Sequence, residues 1–448
     1  MSFDKYLATS SLKDRFYDKL IKGVAIGTDG IHPKKFEKSL DDEIELIQRK
    51  VTNMTYRFSR FHEMLILKNK FSRPRAVYIP TVRDRLVLNA MNAYLKDKFQ
   101  QDLQPHQLSV KANVTNIIRT LKEENFDAFI KLDVKNFFPS LDHDILFNKL
   151  QTRIEDKTAL SLLKKVLNRS QQGIAPGLSI AGQLADIYIN DVDKSLSDRP
   201  NFKYFRFVDD ILILCNSTDV KAIHAEIKQK TNDLKLKLHD TATGGKSDYG
   251  NLHTDTLEYL GFSFLGNQIS VRESSVEKLR KRIRQVFTDT IKDHQNNKKA
   301  ASESTIIDFI DRLNLKITGC LYNNKAYGWL FFFRDINDLT LLNHLDWFVK
   351  KCFDNYGVEY EPTEVKSFVK TYFALKSLDP EKLDANSYIP SFDSNSVQSL
   401  KTKNLCLDDL NDVEDTPIPA KKAAPTEYYQ TDWLEKFILG LANDVEIY

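Results

Sequence analysis

Two adjacent carboxylates, Asp209 and Asp210, stand between the apolar runs of "YFRFVDDILIL" (204–214), and a third, Asp133, lies near the end of "FDAFIKLDV" (126–134). Tyr204–Val208 and Ile211–Leu214 have strand character, so a two-residue polar break predicts a hairpin with Asp209–Asp210 at its tip. Asp-Asp is a poor pair for a tight turn, where Asn-Gly or Asp-Gly is preferred. A solvated turn and a divalent-cation site are the two readings, since hard cations recruit carboxylate oxygens. A strand ending at Asp133 and laid beside this hairpin would cluster three carboxylates, which like-charge repulsion disfavours unless cations neutralise them. Two Mg²⁺ ions about 3.5–4 Å apart, with Mn²⁺ as a substitute, would do so and would suit in-line attack of a hydroxyl on phosphorus. One ion would activate the attacking 3′-oxygen while the other holds the triphosphate and the leaving oxygen.

The elements that must position these groups follow from the same sequence. Residues 1–50 read as helical, with "GTDGI" (27–31) as a turn. Basic strands then precede a helix from about Asp84, and residues 142–170 have helical periodicity. "GIAPGLSIAGQLADIYINDVDKSL" (173–196) is a Gly/Pro loop feeding a helix, and an amphipathic helix follows the hairpin at about 218–236. "LEYLGFSF" (257–264) reads as a further hairpin strand, and residues 272 to about 355 as helical throughout. Residues 378–404 are loop-like, 408–427 have linker composition, and "TDWLEKFILGLAND" predicts a short closing helix.

The order of these motifs resembles that of reverse transcriptases, those of group II introns, retrons and their bacterial relatives in particular. "GTDGI" followed by Phe36 is similar to the N-terminal element of that family, and "RPRAVYIPTVRDRLV" to its fingers segment. "LDVKNFF" resembles motif A, "GIAPGLSIAGQLADIYI" motif B, "YFRFVDDILIL" motif C and "LEYLGF" the primer grip, over about residues 20–265. The resemblance implies that Asp133, the Val134 carbonyl, Asp209 and Asp210 are metal ligands, with the three carboxylates as the catalytic set. It places Phe138 at the steric gate against a ribose 2′-hydroxyl. Arg75 and Arg85, with Arg73 beside them, become candidates for the triphosphate, because guanidinium pairs bidentately with phosphate oxygens. Gly177 would admit the templating base and nucleotide to close approach of the backbone. Lys246 would protonate pyrophosphate, and Leu260–Gly261 would hold the primer terminus. Pro176 stands where motif B normally has glutamine, Ala181 replaces a serine, and Gln183 takes an apolar place. After the primer grip, residues 314–351 are similar to the thumb of the "unknown group", defence-associated reverse transcriptases.

The resemblance implies an α/β right-hand polymerase: an N-terminal extension and fingers (1–125), a palm with an antiparallel sheet (126–268, with a fingers insert at 142–172), a helical thumb (269–375) and a small, mainly helical C-terminal extension (376–448). The implied activity is RNA-directed DNA synthesis from dNTPs. The implied setting is antiphage immunity with a non-coding RNA as template or cofactor, a DNA product, and a homo-oligomer or partner protein. Three rivals share parts of the sequence: a template-independent terminal transferase or protein-primed synthesis at the same site, an RNA-dependent RNA polymerase, and a non-catalytic RNA-binding scaffold. Phe138 argues against the second, and the intact carboxylate set against the third.

Bulk composition fits this picture. At 42% hydrophobic and 28% charged, 448 residues supply a sizeable core and two to four domains. Residues 51–100 hold ten Lys/Arg against three Asp/Glu, the footprint of a phosphate-binding surface. The "KLRKRIR" helix (278–284) would add a basic face, whereas residues 401–448 carry ten acidic against five basic side chains. Four scattered cysteines with no CxxC pair point to a reducing compartment and no zinc site. With no N-terminal apolar segment and no apolar run of 18 residues, the expectation is a cytoplasmic protein without a membrane span.

Overall fold

The computed structural model describes residues 2–377 apart from 22, 24, 68–73, 101–108, 171, 198, 243–244, 297–302 and 324, together with 388–392 and 440–441. Arg73, most of the closing helix and the linker at 408–427 lie outside the described residues. The chain divides into two compact units, 1–252 and 253–448. Both mix helices with antiparallel strands, as the α/β expectation requires.

In the first unit, strands β1 (His62–Ile66) and β2 (Arg75–Ile79) form an antiparallel pair. The central sheet is built from β3 (Ala128–Asp133), β4 (Phe202–Phe207), β5 (Asp210–Cys215) and β6 (Asp248–Asn251) in the order β4-β5-β3-β6. Strands β3 and β5 are its interior pair. "AFIKLD" and "DILILC" are nearly continuous apolar runs because helices cover the sheet, and Ile211 to Cys215 are fully buried. Burying each such side chain contributes about 1.5–3 kcal/mol.

Two helices carry much of this core. Val82–Phe99 buries residues on several sides, from Val82 and Leu86 to Met91, Tyr94 and Phe99, with polar side chains such as Asp84 and Asn89 among them, so its burial is not confined to one apolar stripe. It starts two residues before the expected Asp84, because Thr81 caps it by accepting from the Asp84 N–H at 3.2 Å. Asp84 itself is buried, accepting from Tyr56 Oη at 2.7 Å and from the Ser59 N–H at 2.9 Å. Ala181–Ser197 packs along β4 and brings Asp186 and Asp193 to that strand.

The second unit has a meander of β7 (Leu257–Tyr259), β8 (Phe262–Leu265) and β9 (Gln268–Val271), followed by helices Glu273–Asn296, Glu303–Thr318 and Leu339–Tyr356. The uninterrupted helical pattern expected to residue 355 is corrected here. A hairpin of β10 (Cys320–Tyr322) and β11 (Lys325–Tyr327) intervenes, and β12 (Ser391–Phe392) pairs in parallel with β10. The hairpin is enclosed by glycines: Gly319 (φ +66°) approaches so closely that a Cβ would fall 2.3 Å from the Tyr327 carbonyl oxygen. No helix among the described residues is long and apolar enough to cross a membrane.

Candidate active site

Asp133 is the last residue of β3, where the strand leaves the sheet. Its N–H donates to Ser247 Oγ at 3.2 Å, and its carbonyl accepts from the His239 N–H at 2.9 Å. The following residues continue alongside the 237–239 segment: Val134 bridges to Leu238, and the Lys135 N–H donates to the Lys237 carbonyl at 2.7 Å. This short ladder places His239 Nε2 3.1 Å from Asp133 Oδ1, and Lys246 Nζ stands 3.2 Å from both. An ammonium has only donors, so Lys246 donates to the Asp133 carboxylate, and His239 Nε2 lies beside both groups. His239 was not singled out by the sequence, where "KLHDT" matches no motif.

The β4–β5 hairpin corrects the expected turn by one residue. Phe207 pairs with Asp210, so the two loop residues are Val208 and Asp209, and Asp210 is the first residue of β5, opposite Asp133 in the ladder. Val208 has φ +56° and Asp209 is not in the positive region, the φ pattern of a type II′ turn, whose first loop place normally calls for glycine. A β-branched residue there carries strain of about 1–3 kcal/mol. The Asp209 carbonyl accepts from the Val134 N–H at 3.2 Å, tying the hairpin to the end of β3.

Burial first, and then the charge of Asp133, pushes the Asp209 carboxyl above its usual range; its own N–H, Lys246 and Arg75 offset part of this. Asp133, Asp209, Lys246 and Arg75 thus share one electrostatic site. Arg75 opens β2, and its charge reaches Asp209. Arg85 is placed differently: its Nη2 donates to the Ala25 carbonyl at 2.7 Å, bracing the N-terminal segment, and burial lowers its proton affinity.

Phe138 lies on the one-turn helix Phe137–Ser140, entered through Asn136 in the left-handed region (φ +49°). Phe137 is buried, whereas Phe138 is half-buried, its ring centroid 5.7 Å from that of Phe137. The Phe138 carbonyl accepts from the Ile174 N–H at 2.8 Å, joining this turn to the 173–177 loop. At Gly177 (φ +95°) a Cβ would stand 2.6 Å from Val77 Cγ1 and 2.9 Å from the Tyr78 carbonyl oxygen, so the close approach there is to β2. The Tyr78 N–H completes the contact by donating to the Pro176 carbonyl at 2.8 Å. An open cavity of about 770 Å³ borders this corner, lined by Arg60, Tyr78, Pro139, Arg169, Gln172 and Pro176 among others. Leu260 (φ +49°) and Gly261 (φ +86°) form the β7–β8 turn in the second unit.

Asp133 and Asp209 offer hard oxygen donors whose mutual repulsion a divalent cation relieves, so the pair fits such an ion by donor chemistry. Among the described residues, no group of three or more His, Cys, Asp or Glu side chains stands close enough together to hold one.

Residues 66–264 match the family model described as "Reverse transcriptase (RNA-dependent DNA polymerase)". The group II intron-encoded protein LtrA of Lactococcus lactis subsp. cremoris is 22% identical over 245 residues, covering 52% of this chain and 40% of that protein. The retron Ec73 reverse transcriptase of Escherichia coli is 29% identical over 102 residues, 20% of this chain and 32% of the relative. The chain therefore spans less than half the length of these curated relatives. Among solved structures, telomerase from Candida albicans, in complex with a fragment of telomeric RNA, aligns with a TM-score of 0.41 at 12% identity, over 75% of this chain and 70% of that one. Residues 66–264 are thus similar to a reverse transcriptase domain, with relatives among group II intron-encoded proteins and retron reverse transcriptases.

Proposed function

We propose that this chain is an RNA-directed DNA polymerase that adds deoxynucleotides to a primer 3′-hydroxyl at the Asp133–Asp209 site. The observation that carries the reading is the convergence of two mutually repelling carboxylates from β3 and the β4–β5 turn with two cations, Lys246 and Arg75, drawn from separate parts of the chain. A divalent cation held by Asp133 and Asp209, with the Val134 carbonyl and Asp210 adjoining, would supply charge neutralisation for in-line attack on phosphorus. In the transfer the 3′-hydroxyl gives its proton to solvent as its oxygen bonds to the α-phosphorus, the bond to pyrophosphate breaks, and Lys246 gives the leaving group a proton that it regains from solvent. Arg75 binds the triphosphate through its guanidinium. Phe138 presses on C2′ of the incoming sugar and excludes a 2′-hydroxyl. The template lies along the cavity at Arg60, Arg169 and Pro176, and Gly177 lets this corner dock on β2.

Pro176 in place of glutamine, with its carbonyl engaged by Tyr78, favours a second reading: addition without a template at the same site. The antiphage setting, the dedicated non-coding RNA and the "unknown group" subclass belong to the same proposal, and are supported by the thumb-like sequence of residues 314–351. The test is extension of a DNA primer on a defined RNA template by the wild type and Phe138→Ala. Template-directed addition of dNTPs is expected, with rNTP discrimination relaxed about ten-fold or more in the variant. Sequence-independent addition supports the second reading. An unchanged dNTP/rNTP ratio in an active variant removes Phe138 from the gate.

A further inference from the structure

Arg206 lies one residue before the β4–β5 turn flank, its side chain fully buried beneath the hairpin. Its donors are divided among three acceptors. Nε and Nη2 bind the two oxygens of Asp193 at 2.8 and 2.7 Å, and Nη1 and Nη2 both reach Asp186 Oδ1 at 3.1 Å. The third acceptor is the carbonyl of Val208, 2.9 Å from Nη1. Asp186 and Asp193 are seven residues apart on the helix Ala181–Ser197, so two turns of helix present both to the same strand. Tyr204 Oη donates to Asp193 Oδ1 at 2.8 Å, and Asn113 Nδ2 donates to the Arg206 carbonyl at 3.1 Å, which fixes the fork and the backbone behind it.

The acceptor that matters is the carbonyl of Val208, because it belongs to the peptide that leads into Asp209. Val208 holds φ +56° with a β-branched side chain, a conformation it does not adopt unaided. The next carbonyl, that of Asp209, is held by the Val134 N–H. The Asp209 backbone is therefore pinned on one side by Arg206 and on the other by the end of β3.

We propose that Arg206 is a positioning residue: braced by Asp186 and Asp193, it holds the Val208 carbonyl and keeps the Val208–Asp209 turn in the left-handed conformation that sets Asp209 beside Asp133. The proposal deepens the reading of the Asp133–Asp209 site given above and rests on it. A bidentate arginine is suited to this task because its planar fork reaches several acceptors in one fixed geometry, which a lysine cannot do.

Glycine adopts positive φ without strain, so Val208→Gly can replace the clamp. Arg206→Lys is expected to lower kcat for nucleotide addition about 10- to 100-fold, as a sub-ångström to 1 Å misplacement does, with KM for the dNTP within about two-fold. Adding Val208→Gly to Arg206→Lys is expected to recover about ten-fold of that loss. A merely structural Arg206 predicts no recovery, because the buried ion pairs remain broken, and that result overturns the proposal. If Arg206→Lys does not fold, Asp186→Ala takes its place, since Asp193 still pairs with the guanidinium. A kcat loss that Val208→Gly restores supports the clamp, and a loss it does not restore overturns it.

Thermal unfolding of the same set reads the clamp without catalysis. Val208→Gly relieves strain that exists only while the clamp holds, so it should raise Tm more in the wild type than beside Arg206→Lys or Asp186→Ala. Equal shifts in both backgrounds overturn the proposal. A wild type that adds no nucleotide defeats the site reading, while the melting cycle still decides the role of Arg206.

Discussion

Two of the two-residue hairpins among the described residues, β4–β5 and β7–β8, each place a non-glycine residue at positive φ, and they meet that demand by different means. The β7–β8 turn uses Leu260 and Gly261, both at positive φ, and its second residue is the one type that accepts such a backbone freely. A Cβ at Gly261 would meet nothing nearer than Phe333 Cζ at 3.5 Å, so its glycine serves conformation and not close packing. The β4–β5 turn has valine where glycine belongs, and its geometry depends on Arg206, Asp186 and Asp193. A turn set by its own residues can be read locally. A turn held by a buried ionic network can carry a carboxylate in a strained place, at the cost of depending on a distant helix.

The comparison can be broken at several points. The largest effect should come from Asp193→Ala, which leaves the fully buried Arg206 without its bidentate partner. Removing one member of a buried pair costs about 3–5 kcal/mol, so denaturant unfolding should show a loss of that order or an unfolded protein. A loss under about 1 kcal/mol, the range of an exposed pair, would mean that the network does not hold the hairpin. Gly261→Ala should cost about 1–2 kcal/mol, the penalty for a Cβ in the left-handed region, and should leave the first unit's unfolding unchanged. A larger cost would show that the second turn also depends on its surroundings.

The smallest effect is a slope. Burial raises the Asp186 carboxyl above its ordinary pKa, against the opposing pull of Arg206, with Asp193 raising it further. The native state therefore binds that proton more tightly than the unfolded chain. The stability this contributes is present below the unfolded pKa and is lost as pH rises through the raised native value. Asp186→Asn should flatten the stability profile over that window, as measured by urea midpoints from acid to neutral pH. An unchanged slope would assign the pH dependence elsewhere.

The same contrast explains what the sequence disclosed. Asp133 and Asp209 were legible because carboxylates at strand ends are expensive and therefore conspicuous. The turn was expected at Asp209–Asp210 because polar pairs favour loops, yet Arg206 selects Val208–Asp209 through partners contributed by the helix Ala181–Ser197. That information is long-range and has no local signature. Gly177 was conspicuous for its Pro-Gly context, but its neighbour, β2, lies about a hundred residues earlier in the chain. His239 reaches Asp133 only because residues 237–239 run beside the end of β3. The β10–β11 hairpin did leave a trace, in Gly319, Asn323 and Gly328 at positive φ, which the surrounding aromatic pattern concealed.

Single-turnover addition of one complementary dNTP to a primer on an RNA template tests the central claim most directly. The site predicts that Asp133→Asn and Asp209→Asn each slow the step at least about 10³-fold, and that the double variant is little slower than either, since the two act as one unit. Folding should be retained in all three, as both side chains lie at the mouth of the sheet and not in its core. Either single variant turning over within about ten-fold of the wild type would contradict the assignment of chemistry to this pair.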